Sequence, residues 1–157
     1  MKKYNVYTDG ACRNVTEPEK AIGGWAYCIA SEDNKKIIQE DNGKLRKGVQ
    51  NSTRAELEAL YQVLLKISRF KSNTKFDIYI DNSSVIEGIT GIAERKANRD
   101  LWDKIEPLFL KLAGRIRIHK IEAHKSGELN EYEIKNKYVD KLAQIGANSL
   151  ILVPVNN

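Results

Sequence analysis

The sequence predicts an α/β domain in which a five-stranded mixed sheet carries helices on its faces, and three observations predict it. The chain has 157 residues, 41% hydrophobic and 30% charged, enough for one core of ordinary composition. Its first third shows the two-residue alternation of strands broken by polar turns. From Thr53 the period changes to 3.6, and strand-like and helix-like segments then alternate. Strands joined through a helix must run parallel, whereas an opening meander is antiparallel, so a sheet built from both is mixed. Residues 1–150 are read as one domain and 151–157, apolar around Pro154, as a C-terminal tail that either docks as an extended strand or frays.

The elements follow in order. Lys3 to Thr8 reads as a strand around Val6 and Tyr7, with Gly10 beyond Asp9 allowing a sharp change of direction into a loop from Ala11 to Ile22. Gly23 to Ala30 and Lys36 to Lys47 read as two strands joined by the turn Ser31 to Asn34. Leu57, Leu60, Leu64 and Ile67 recur at helical spacing opposite Glu58, Gln62, Lys66 and Arg69, predicting an amphipathic helix over about Thr53 to Ser68. Phe76 to Ile80 alternates as a strand ending at Asp81. Val85, Ile86, Ile89 and Ile92 then mark a helix with Ser83 as its cap. A further helix spans about Asp100 to Leu112, which Pro107 should kink or shift. Ile116 to Ile121 is a short strand, and Asn136 to Ala147 a final helix.

Composition excludes several classes. No run of about 18 apolar residues exists to span a membrane. Cys12 and Cys28 form neither a disulfide framework nor a zinc ligand set, which favours a reducing, cytoplasmic setting. Met1 stands at the start of the first strand, leaving no room for a signal peptide and favouring a complete protein. The net charge of +5 is compatible with a polyanionic partner and equally with a solvated surface.

The informative residues are acids at the ends of elements. Asp9 and Asp81 close apolar strands, Glu56 lies in the first turn of the main helix, and Asp140 lies in the first turns of the last. In a parallel α/β arrangement these ends share one edge of the sheet, where functional sites collect. Four convergent carboxylates raise one another's pKa unless a counter-charge is present. Hard divalent cations such as magnesium or manganese, which take oxygen ligands, supply it. Two of them can activate a water and stabilise a leaving oxygen in phosphodiester cleavage. Each acid also has a structural reading. Thr53 and Glu56 match a capping box, Asp9 before a glycine suits a turn, Asp81-Asn82-Ser83 suits a capped junction, and Asp140 and His124 suit the surface.

Taken together, Tyr7-Thr8-Asp9-Gly10-Ala11-Cys12, Thr53-Arg54-Ala55-Glu56-Leu57-Glu58-Ala59-Leu60, Ile80-Asp81-Asn82-Ser83, Ala123-His124-Lys125 and Asn136-Lys137-Tyr138-Val139-Asp140-Lys141-Leu142-Ala143 come in an order that closely resembles the type 1 ribonuclease H family, over about Tyr4 to Ala147. The resemblance implies a ribonuclease H-like fold, three antiparallel strands followed by parallel additions. It also implies hydrolysis of the RNA strand of RNA–DNA hybrids by a monomer carrying two Mg2+ ions, for which Mn2+ substitutes. It makes Asp9, Glu56, Asp81 and Asp140 the metal-binding acids. Asp9 bridges both ions, Asp81 and Glu56 stand on the leaving-group side, and Asp140 stands near the ion that activates water. His124 matches the family histidine that assists proton movement or product departure, a role its unperturbed pKa near about 6.5 suits.

By the same resemblance Cys12, Arg13 and Asn14, with Asn51, Ser52 and Thr53, track the hybrid's backbone and shallow minor groove, where the 2′-OH marks the RNA strand. Lys44, Arg46, Lys47, Arg54, Arg95, Lys96 and Arg99 are candidates for phosphate contact. Three departures stand out. Ser52 occupies the position where the family commonly has Asn. Eleven residues separate His124 from Asn136, about twice the usual spacing. Gly91 to Asp100 is short where many relatives carry a long basic protrusion, which predicts weaker hybrid affinity and stronger salt sensitivity. A DNA-directed nuclease of the same superfold is the first alternative, but those place a Glu after the second Asp. A non-catalytic hybrid- or RNA-binding module is the second, and it predicts a missing acid.

Overall fold

The computed structural model describes residues 2–13, 16, 17, 20–46, 48, 50–121 and 129–148. Strands β1 (Lys3–Arg13), β2 (Ile22–Ser31), β3 (Ile37–Lys44), β4 (Lys75–Ile80) and β5 (Ile116–Lys120) form one sheet in the order β3-β2-β1-β4-β5. The β1–β2 and β2–β3 pairs are antiparallel, and β1–β4 and β4–β5 are parallel, so the predicted mixed sheet is present. Helices α1 (Ser52–Ile67), α2 (Ser83–Thr90), α3 (Arg99–Lys111) and α4 (Glu131–Ala147) complete the predicted order. Among the described residues no helix is long and apolar enough to cross a membrane.

Alternation along the central strand divides the core. Val6 faces α1, α2 and α3 together with Tyr27, Ile29, Ile78 and Ile80, while Tyr7, Cys28 and Ala30 face α4 through Val139. Helix α1 lies between the sheet and α3, which is why the run Ala55 to Leu60 is buried without a break. On the other face α4 comes close to the backbone of β2. A Cβ at Gly24 would lie 2.2 Å from the Ala143 carbonyl oxygen and the Ala147 nitrogen.

Five local expectations are corrected. The first strand does not stop at Thr8 but runs on to Arg13, because β2 is long enough to pair with it as far as Arg13↔Ile22. Gly10 therefore makes no turn. A Cβ there would lie 2.4 Å from the Ala55 carbonyl carbon and the Glu56 nitrogen, so the glycine is what lets the start of α1 press onto the strand. The cap of α2 is Asn82, which accepts from the Val85 amide at 3.0 Å, and Ser83 is the first helical residue. That helix ends at Gly91, in the left-handed region at φ 79°, leaving Ile92 beyond it and 80% exposed.

Pro107 sits inside α3 without ending it, on the exposed side, where the carbonyl it leaves unpaired can be hydrated. The largest displacement is at α4, which starts at Glu131 rather than Asn136. Asn130 accepts from the Glu133 amide at 2.9 Å and Glu133 reaches back to the Asn130 amide, a reciprocal cap that starts the helix. Five of the eleven residues between His124 and Asn136 thus lengthen a helix.

Candidate active site

Parallel pairing of β1 with β4 brings Asp9 and Asp81 to one edge of the sheet, and the start of α1 docks there against Gly10. Asp9 lies within β1, beyond the last residue paired with β4. Asp81 follows the last residue of β4 and precedes the Asn82 cap. Glu56 is not a capping residue. The cap of α1 is Asn51, whose side chain accepts from the Arg54 amide at 2.8 Å, and Glu56 falls in the second turn with its side chain buried. Asp9, Glu56 and Asp81 each offer an oxygen atom within 4.8 Å of the others.

This cluster is electrostatically unfavourable as it stands. Burial raises the pKa of Asp9, and the charges of Asp81 and Asp140 raise it further, against the opposing hydrogen bonds from Glu56 and the Gly10 amide, the latter at 2.9 Å. Burial, then the hydrogen bond and charge of Asp9, then the charge of Asp81 push Glu56 well above the usual carboxylate range. Glu56 Oε2 is buried with no hydrogen-bond partner. Three carboxylates brought together, with one buried oxygen lacking a donor, fit hard divalent cations in residue type and spacing.

Asp140 approaches from the opposite face on α4. Because that helix begins at Glu131, Asp140 is its tenth residue and not in its first turns as expected, and it arrives because α4 crosses the sheet. Its charge acts on Asp9, but it lies outside the 4.8 Å set and accepts from Gln144 Nε2 at 3.1 Å. Sequence reasoning assigned no role to Asn136, whose Nδ2 donates to Asp81 Oδ2 at 3.2 Å. The signal was present, since Asn136 lies four residues before Asp140 and hence on the same face of the helix. Asn136 and Asp81 border a cavity of about 360 Å³ that Lys120 and Lys137 also line.

The candidate substrate contacts divide. Cys12 and Arg13 extend β1 past Asp9, and Asn51, Ser52 and Thr53 form the cap and first turn of α1, so both sets flank the acids. Asn14, Lys47 and His124, like the tail 151–157, lie outside the described residues. Two of the candidate phosphate ligands are engaged within the protein. Arg54 binds both oxygens of Asp100, at 3.0 and 2.6 Å, and Asn98 Oδ1 at 3.2 Å. Arg95 donates to the Gly88 carbonyl at 2.9 Å, pairs with Glu106 and covers the Trp102 ring at 4.5 Å. Lys96 pairs loosely with Glu94 at 3.3 Å. Lys44, Arg46 and Arg99 have no ion pair among the described residues.

Comparison with known proteins bears on the family and the fold. The RNase H family model matches residues 1–148. The chain is 29% identical to a ribonuclease H of Clostridium botulinum, over 91% of this chain and 94% of that one. It is 30% identical to a ribonuclease H of Chlorobium phaeovibrioides, over 92% and 94%. In fold it resembles LC11-RNase H1 solved in complex with an RNA/DNA hybrid, with a TM-score of 0.72 at 18% identity, covering 92% of this chain and 96% of that one. With a match across nearly its whole length and an acidic cluster of the expected residue types, the chain belongs to the RNase H family and is a ribonuclease H enzyme.

Proposed function

We propose that the protein is an endonuclease that hydrolyses the RNA strand of RNA–DNA hybrids with two Mg2+ ions, Mn2+ substituting, and leaves 5′-phosphate and 3′-hydroxyl ends. The observation that carries this reading is the group Asp9, Glu56 and Asp81, whose oxygens lie within 4.8 Å of one another, with Asp9 and Glu56 buried and one Glu56 oxygen without a donor. When bound, the divalent cations supply the positive charge that activates water and offsets charge on the phosphate oxygens. Asp9, held by the Gly10 amide, would be the central ligand to the ions. Glu56 and Asp81 stand on the leaving-group side, with Asp81 oriented by Asn136, and Asp140 completes the set from α4. His124 assists proton movement or product departure.

The hybrid lies over this edge. Cys12 and Arg13 on one side and Asn51, Ser52 and Thr53 on the other meet the backbone and minor groove, Asn14 is a further candidate contact, and Glu56 accepts from a 2′-OH. The hybrid carried by LC11-RNase H1 supports the substrate class. Two free cysteines, one of them buried, support a reducing compartment such as the cytoplasm. Among the described residues the exposed large apolar side chains are scattered over β3, α3 and α4 and the segments beside them, which supports a monomer.

The test is cleavage of labelled hybrid beside duplex DNA and duplex RNA, with magnesium, manganese or chelator. Hybrid alone should be cut, only with metal, and Asp9→Asn should abolish cutting. Equal cutting of duplex DNA, or cutting indifferent to chelator and to Asp9→Asn, would overturn the reading.

A further inference from the structure

The carboxylates occupy one edge of the sheet, and the opposite edge, where β1, β4 and β5 begin, carries a different chemistry. A cavity of about 310 Å³ there is lined by Lys3, Lys75, Asp77, Arg115 and Arg117. Strand register assembles it, because Lys3 stands opposite Lys75 and Asp77 opposite Arg117. Asp77 is buried, and its two oxygens are taken by Lys3 at 2.8 Å, Arg117 at 2.9 and 3.3 Å and His119 at 2.8 Å. Burial opposes its ionisation, but those hydrogen bonds outweigh burial and hold it well below the usual carboxylate range.

One carboxylate cannot neutralise the remaining cations. Arg115 is fixed by carbonyl oxygens alone, Thr74 at 3.0 Å, Lys71 at 2.8 Å and Phe70 at 3.4 Å, so its position is set and its charge is not cancelled. Lys75 is exposed and has no ion pair among the described residues. Like charges facing each other across strands are destabilising, and an anion between them removes that cost. Next to Arg117 on the same Asp77 carboxylate, His119 is 38% exposed in its side chain and stacks on Tyr79 with ring centroids 4.8 Å apart, an aromatic group beside the cationic pocket.

We propose that this pole binds the backbone phosphates of a single-stranded extension of the substrate, with Lys75, Arg115 and the Nη1 of Arg117, which Asp77 leaves unbound, on phosphate and His119 against a base. Aromatic rings beside a cationic groove are how proteins hold single strands without reading sequence. The pole stands apart from the catalytic edge, since Lys3 lies six positions before Asp9 along β1, about 20 Å of strand. Duplexes are stiff on that scale and a single strand is not. The inference rests on the hybrid-cleaving reading above.

The experiment compares steady-state cleavage of a blunt hybrid with that of the same hybrid carrying an RNA overhang at one end or the other, using wild type, Lys75→Glu and the double variant Lys75→Glu/Arg117→Gln. Wild type should show a KM roughly tenfold lower for one overhang substrate at low salt. Its logarithmic salt slope should be steeper by roughly 0.7 for each phosphate held. Both variants should lose most of that advantage and cut the blunt hybrid as wild type does.

Arg117→Gln leaves Lys3 and His119 on Asp77, and Lys75→Glu breaks no ion pair, so the single variant carries the test if the double one fails to fold. Inorganic phosphate should raise the overhang KM toward the blunt value. No overhang advantage in wild type, including a pocket that binds phosphate alone, or an advantage retained in the variants, overturns the proposal. Failure of wild type to cut the blunt hybrid overturns the hybrid reading instead.

Discussion

At the scale of the residue, the site is held in an unfavourable state that a metal relieves. Burial and mutual charge raise Asp9 and Glu56 above the ordinary carboxylate range. A carboxyl whose pKa is raised by folding binds more protons in the native than in the unfolded chain between the two values. Without metal, therefore, native stability falls as pH climbs from about 4 toward the raised values. Asp9→Asn removes the central charge while keeping the shape. In chelator at neutral pH the variant should be more stable than wild type by on the order of 2 kcal/mol, and the gap should close as pH falls into the ordinary carboxylate range. Thermal melts against pH check this, and a variant less stable than wild type at neutral pH would contradict it. Saturating magnesium should narrow the gap from the other side by stabilising wild type.

At the scale of the element, what was legible from sequence and what was not separate along physical lines. The order of elements and the three clustered acids were legible because they depend on local period and on acids placed at strand ends. The bounds were not legible where a distant partner sets them. Arg13 is in a strand because Ile22 pairs with it, and no pattern within Ala11 to Arg13 says so. The alternative reading of Glu56 as a cap falls on a local contact instead, since Asn51 three residues before Arg54 caps α1 and leaves Glu56 to the site. The true start of α4 was legible and passed over, as Asn130 and Glu133 form a local capping pair. Gly10 looked like a turn residue because a glycine's need for space is invisible until the second element is in place.

Docking of α1 on β1 can itself be tested. In Gly10→Ala the new methyl must displace the Ala55–Glu56 backbone, which no side-chain rotation avoids. A loss of about 1–3 kcal/mol is expected from overpacking. Cleavage should fall more than stability accounts for, because Glu56 moves with its helix away from Asp9. Melting temperature and kcat measured on the same preparation check this. An alanine variant with wild-type kcat would mean that the helix start is free to shift.

At the scale of the whole molecule, the surplus of positive charge is smaller in effect than the count of 26 Lys and Arg against 21 Asp and Glu implies, because ion pairs within the fold take up several of the cations. Arg54 ties the start of α3 to α1, Arg95 ties the middle of α3 to α2, and Lys3 and Arg117 are held by Asp77. Lys44, Arg46 and Arg99 remain for a duplex on the catalytic side, and the segment between α2 and α3 adds only Lys96. If about three of these meet phosphates, log KM for a blunt hybrid should rise with log salt at a slope of roughly 3, with kcat little changed. Arg99→Gln or Lys44→Gln should each lower that slope by about 1. Arg54→Gln should leave the slope as it is and lower the melting temperature, because it breaks a two-pronged contact between α1 and α3 and leaves Asn98 and Asp100 without their donor. A slope that drops in Arg54→Gln and holds in Arg99→Gln would mean that the guanidinium leaves Asp100 for a phosphate when substrate arrives.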